Sequence, residues 1–147
     1  MIIFLDIDGV LRRKQSPLYR FDADCLRTFE QAVRSVPDSQ IVITSSWREA
    51  FTLNDMRAMF SPDIRLRILG VTPVAPNQDG HYRYREVLAY LKFNGREKNH
   101  WLAIDDDPLH YPPLKNVLLI DGERGFDSTA AKRLTIQIAD NCLNKNH

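Results

Sequence analysis

Five short apolar runs, separated by residues with helical spacing, constrain this chain more than any other feature of its sequence. They are Ile2 to Leu5, Ile41 to Ile43, Leu66 to Val71, Trp101 to Ile104 and Val117 to Ile120. Each is apolar at successive positions instead of alternating, so strands built from them need cover on both faces, the condition of a parallel sheet between helices. Leu26, Phe29 and Val33 repeat at i, i+3 and i+7 behind Asp22 and Asp24, candidate N-terminal caps. Tyr84, Val87, Leu88 and Leu91 form a second stripe, stopped by Asn94-Gly95. A last helix is expected over about Ser128 to Ala139, with Ala131, Leu134 and Ile138 on one side and Asp127 or Ser128 at its start. The stretch from Glu49 to Gly80 is less regular: a short helix around Leu53 to Phe60, the third strand, then a loop from Pro73 to Gly80. Strand and helix therefore alternate, which predicts a three-layer, doubly wound α/β fold on a parallel five-stranded sheet with right-handed crossovers.

At 147 residues the chain suits one domain, expected to span 1–147. Twenty Lys and Arg against 19 Asp and Glu leave a net charge of +1, which excludes a global basic field for nonspecific nucleic-acid binding but leaves room for a local patch. Cys25 and Cys142 lie far apart with no C-x-x-C spacing and read as reduced, buried thiols. No apolar run approaches the roughly 18 residues of a membrane span. The opening apolar segment carries two acids and no basic lead-in, so a cytoplasmic protein without membrane contact is expected.

In such a fold ligands bind beyond the carboxyl ends of the strands. Asp6 and Asp8 follow the first run, Thr44, Ser45, Ser46, Trp47 and Arg48 the second, and Asp105, Asp106 and Asp107 the fourth. Residues i and i+2 of an extended segment project to one side, so Asp6 and Asp8 can converge while Ile7 turns away. Carboxylates that close repel and raise a pKa unless a cation lies between them. With acids arriving from a neighbouring strand, a hard divalent ion is the economical solution, and Mg²⁺ suits an all-oxygen site that keeps waters for a phosphate.

These residues match a known pattern. "FLDIDGVL" resembles the first motif of the haloacid dehalogenase (HAD) superfamily, h-h-D-x-D-G-V/T-L with h apolar. "IVITSSWR" resembles its second motif and "WLAIDDD" its fourth, in the correct order between residue 2 and about 107. The resemblance implies a Rossmann-like fold and Mg²⁺-dependent phosphoryl transfer through an aspartyl-phosphate. It makes Asp6 the nucleophile and Asp8 the acid for the leaving group, then the base for water. Thr44, with Ser45, would hold phosphoryl oxygens, and Asp106, supported by Asp105, would bind the metal with the Asp6 side chain and the Asp8 backbone carbonyl. For the third motif, a Lys or Arg near the helix before the fourth-motif strand, "HYRYREVLAYL" offers Arg83, favoured at the helix entrance, and Arg85, with Lys92 and Lys98 as further candidates. The pairing of "SSWR" with a downstream "R-x-x-E-V" helix most resembles the small HAD domains of multifunctional RNA-repair proteins, which implies a phosphatase acting on nucleic-acid ends.

HAD enzymes usually carry a cap after the first motif or between the second and third. Here Arg12 to Phe21 holds only a flap and Glu49 to His81 must supply core structure, so no full cap domain is expected. An open site suits phosphate on something large, RNA or DNA ends among the candidates. Positive charge flanks it at Arg12, Arg13, Lys14 and Arg48. Arg48 is a candidate substrate contact, with pairing to an acid as the alternative; Trp47 either stacks on a base or packs into the core. His81, His100, His110 and His147 show no zinc-like spacing and read as ordinary surface or loop residues. "DGERGF", Asp121 to Phe126, reads as a turn that could reach the site rim. The alternative to catalysis is a degenerate HAD domain that binds phosphate or a phosphorylated partner, and a third possibility is phosphotransfer to an acceptor other than water.

Overall fold

The apolar runs do form strands, and the segments between them form helices. The computed structural model describes residues 1–143. In chain order the elements are β1 Ile2–Leu5, α1 Ala23–Arg34, β2 Gln40–Ile43, α2 Leu53–Ala58, α3 Pro62–Arg65, β3 Ile68–Val71, α4 Tyr82–Phe93, β4 Trp101–Asp105, β5 Val117–Leu119 and α5 Ser128–Leu143. The five strands make one parallel sheet in the order β3-β2-β1-β4-β5. The chain winds outward from β1 to β3, then returns to the other side of β1 for β4, so the topological switch point lies between β1 and β4.

Successive side chains of a strand take opposite faces, and both faces here are buried. Ile3, Leu5, Ile41, Ile43, Leu102 and Ile104 join a core with Phe29 and Val33 of α1, Met56 of α2, Ile64 of α3, and Leu134 and Ile138 of α5. Ile2, Phe4, Val42 and Ala103 pack on the other face against Val87, Tyr90 and Leu91 of α4. Each fully buried aliphatic or aromatic chain contributes about 1.5–3 kcal/mol. Between β1 and α1 the chain builds a loop, and between β2 and α4 short helices, β3 and loops, with no cap domain in either segment. Among the described residues, no helix is long and apolar enough to cross a membrane.

Several boundaries differ from those expected. The third strand begins at Ile68, not Leu66: Leu66 is the C-cap of α3 and 88% exposed. The helix expected over Leu53 to Phe60 ends at Ala58, and a second begins at Pro62, because a residue before proline avoids the helical region; Ser61 is extended at φ −61°, ψ 150°. On α4 the inward face includes Arg83 and Glu86, while Leu88 points to solvent. The last helix runs on to Leu143. Cys25 is a buried free thiol; the Cys142 side chain and His147 lie outside the described residues.

Candidate active site

The register of three adjacent strands builds the site. Leu5 pairs with Ile43 on one side and Ile104 on the other, so Asp6, Thr44 and Asp105 stand at one level beyond the sheet. Backbone bonds hold that level: Asp6 N–H donates to the Ile104 carbonyl at 3.0 Å and Thr44 N–H to the Leu5 carbonyl at 2.9 Å. After Asp8 the chain turns at Gly9, φ +80°, with the amides of Val10, Leu11 and Arg12 all donating to the Ile7 carbonyl. A Cβ on Gly9 would lie 2.2 Å from Asp106 Oδ2, so only glycine permits both the turn and the approach of Asp106. The resulting pocket, about 460 Å³, is lined by Asp6, Asp8, Lys14, Ser46, Arg83 and Asp106, with Tyr82, Asp107 and His110 completing one wall.

Asp6 is buried and accepts the Ile7 amide at 2.8 Å. Burial, then the charge of Asp105, raises its carboxyl well above the usual carboxylate range, against the opposing pull of Arg83. Burial and Asp105 likewise push Asp106 up to about 6, although Lys14 lies 3.7 Å away and acts in the other direction. Asp105 is wholly buried: Oδ1 accepts the Asp107 amide at 2.9 Å, and Oδ2 lies 2.9 Å from His110 Nδ1. Ligating atoms of Asp6, Asp105 and His110 lie within 4.8 Å of one another. Acidic oxygens crowded until their protons bind more tightly are what a hard divalent cation relieves, so the donor set fits such an ion.

Asp8 is half-exposed, and both its partners contact Oδ1: Arg12 Nε at 2.8 Å and the Trp47 indole N–H at 3.0 Å. Among the described residues Oδ2 and the Asp8 backbone carbonyl accept no hydrogen bond. Thr44 is fully buried, its hydroxyl facing that of the buried Tyr111 without a well-formed hydrogen bond, and Arg83 Nε is also buried without a partner. Arg83 Nη1 donates to Glu86 Oε1 at 2.8 Å, and its guanidinium lies 5.0 Å from the Tyr82 ring centroid. Burial opposes the charge of Arg83, but Asp6 and Glu86 outweigh it and raise its pKa above the ordinary arginine value.

A family model described as "HAD domain in Swiss Army Knife RNA repair proteins" matches residues 2–131. The chain belongs to this family. Searches of curated proteins and of solved structures returned no match.

In this HAD domain the fold brings Asp6, Asp8, Thr44, Arg83, Asp105 and Asp106 to one end of the sheet. It does not bring Ser45 and Arg48 with them as substrate contacts. The Ser45 hydroxyl accepts the Trp47 amide at 3.2 Å and caps the 3-10 turn Ser46–Glu49, while Ser46 lies on the pocket wall. The Arg48 side chain, 6% exposed, donates to Glu86 at 2.6 Å and Thr72 at 3.1 Å. Trp47 is 2% exposed, packed against Phe21 and Phe51, so its face is not open for stacking. Of the basic run, Arg12 holds Asp8, Arg13 pairs with Asp22 and Asp24, and Lys14 lines the pocket.

His110, expected to be an ordinary loop residue, lies in the site instead, between Asp105 and the Tyr82 hydroxyl, which is 3.0 Å from Nε2. The signal for it was faint: a histidine five residues past a strand-end acid, across a loop of unreadable shape. Glu86 was more legible, standing i+3 from Arg83 on one helix face. The Asp121 to Phe126 segment is a turn that also reaches the rim, since Gly122 packs against Asp106 and Lys14.

Proposed function

We propose that this HAD domain is a Mg²⁺-dependent phosphohydrolase that works through an aspartyl-phosphate on Asp6. The observation that carries the reading is the environment of Asp6: a buried carboxyl level with Asp105 and Thr44, within electrostatic reach of Arg83, with a second acid two residues on. An Asp6 oxygen attacks phosphorus; an O–P bond forms as the bond to the leaving oxygen breaks, and that oxygen takes a proton from Asp8. Asp8 then removes a proton from water, whose oxygen attacks the same phosphorus. The Asp6–phosphate bond breaks, inorganic phosphate leaves, and both carboxyls return to their starting state. The unpartnered Thr44 hydroxyl and Arg83 Nε suit non-bridging phosphoryl oxygens.

Mg²⁺ would be held by Asp6, Asp106 and the Asp8 carbonyl, with Asp105 behind them, and when bound it supplies the charge that lets a carboxylate approach a phosphate. The absence of a cap, together with the family's link to RNA repair, supports a terminal phosphate on a nucleic-acid end as substrate. Binding without turnover is the competing reading; a pure binder has no use for Asp8, whose Oδ2 faces no partner.

The test is phosphate release from an aryl phosphate and from 3′- and 5′-phosphorylated oligonucleotides with Mg²⁺. Release that disappears in Asp6→Asn is the expected result. Folded, Mg²⁺-loaded protein inert on the whole panel overturns the reading.

A further inference from the structure

Beneath the pocket lies a cluster of three buried charges. The Glu86 side chain is wholly buried, and those of Arg48 and Arg83 are 6% exposed. Glu86 Oε1 accepts from Arg83 Nη1 at 2.8 Å; Oε2 accepts from Arg48 Nη2 at 2.6 Å and from the Ala75 amide at 2.9 Å. Arg48 is further tied to the Thr72 hydroxyl. Of the two arginines only Arg83 lines the pocket.

A buried guanidinium needs an acceptor to fix its orientation, and Glu86 supplies one at Nη1 while Nε stays unpartnered. That anchor has an electrostatic consequence. One carboxylate against one guanidinium is a neutral pair, whose field at a phosphoryl group largely cancels. A second guanidinium on the same carboxylate restores a net charge of +1, which salt screens less than it would a surface charge because the cluster is buried. We propose that Arg48 is a positioning residue acting through Glu86: it lets Glu86 hold Arg83 in place without cancelling the positive charge that Arg83 presents to phosphate. The role of Arg83 in this proposal rests on the phosphatase reading above.

The arithmetic of charge makes the test specific. Arg48→Gln leaves a neutral Arg83–Glu86 pair, whereas the double variant Arg48→Gln/Glu86→Gln returns the cluster to +1 through Arg83 alone. Inorganic phosphate binding to the 147-residue, Mg²⁺-loaded protein is measured by calorimetry, and turnover of an aryl phosphate and of 3′- and 5′-phosphorylated oligonucleotides is measured separately. Arg48→Gln should weaken phosphate binding about tenfold, and the double variant should recover most of that loss. Arg48→Lys, which keeps the charge, should remain within about threefold of wild type. A double variant as weak as Arg48→Gln or weaker marks a purely structural ion pair and overturns the proposal. Unchanged affinity in Arg48→Gln overturns it as well. Should Arg48→Gln fail to fold, Arg48→Lys decides: a tenfold loss there sinks the charge argument, and near-wild-type affinity sustains it. Phosphate bound with no turnover of the aryl phosphate or of the 3′- and 5′-phosphorylated oligonucleotides defeats the phosphatase reading while leaving the charge comparison readable; a wild-type protein that does not bind phosphate defeats both.

Discussion

Asp106→Asn should make the metal-free protein more stable while weakening its hold on Mg²⁺. The Asp106 carboxyl is raised to about 6 by burial and by Asp105, and its side chain is only 11% exposed. In the unfolded chain an aspartate titrates near 3.9, so the difference of about two units corresponds to about 3 kcal/mol. The sign follows from proton counting. Between about pH 4 and 6 the folded state binds more protons than the unfolded state, so stability falls as pH rises through that window, and above it the loss is complete. Asn at this position carries no charge at any pH. In EDTA, urea unfolding should therefore show Asp106→Asn more stable than wild type by up to about 3 kcal/mol at pH 7.5, with the gap closing near pH 4. Mg²⁺ should oppose that order, because an ion that binds only the folded state stabilises it in proportion to its affinity, and the variant lacks one ligand. Equal stability of the two proteins at pH 7.5 in EDTA would refute the reasoning, as would equal stabilisation of both by Mg²⁺.

Two substitutions test the surroundings of Asp6, the proposed nucleophile. Arg83→Gln should lower kcat on an aryl phosphate by about 100-fold or more, whereas Arg85→Gln, at an exposed residue paired with Asp79, should leave it near wild type; similar kcat values for the two variants would remove Arg83 from the third-motif role. Gly9→Ala puts a Cβ at φ +80° and 2.2 Å from Asp106 Oδ2, so it should cost about 1–2 kcal/mol in backbone strain alone and weaken Mg²⁺ binding by displacing Asp106. Thermal unfolding and a Mg²⁺ titration check both effects, and wild-type behaviour in the two together would refute the packing argument.

The strands and the strand-end residues were legible because they depend on local pattern and on one general property of open α/β sheets. Apolar runs place Asp6, Thr44 and Asp105 at strand ends, and parallel register then aligns them without further information. Helix boundaries were less legible where two signals compete: Leu66 is apolar enough for a strand, yet the chain needs it to close the turn after α3. Side chains around the site were least legible. Whether Arg48 meets a phosphate or an acid depends on which residue of a distant helix faces it, and hydrophobic spacing on α4 pointed to Leu88 rather than to the buried Glu86. His110 reads as an ordinary surface or loop residue in the sequence because only the 3-10 turn Pro108–His110 brings it back to Asp105.

The 3-10 turn Ser46–Glu49 explains why two motifs far apart in sequence occur together. Adjacent residues of such a turn point in different directions, and here they serve two parts of the site: the Trp47 indole donates to Asp8, and Arg48 reaches Glu86, which holds Arg83. Asp8 and Arg83, the acid and the cation of the proposed reaction, are thus positioned from one short segment. Its own geometry is set by the Ser45 hydroxyl, bonded to the Trp47 amide at the end of β2. Ser45 therefore sets the positions of Trp47 and Arg48 from the end of β2. The sequence "SSWR" forms a bracket joining Asp8 to the "R-x-x-E" face of α4, with the Ser46 side chain left on the pocket wall.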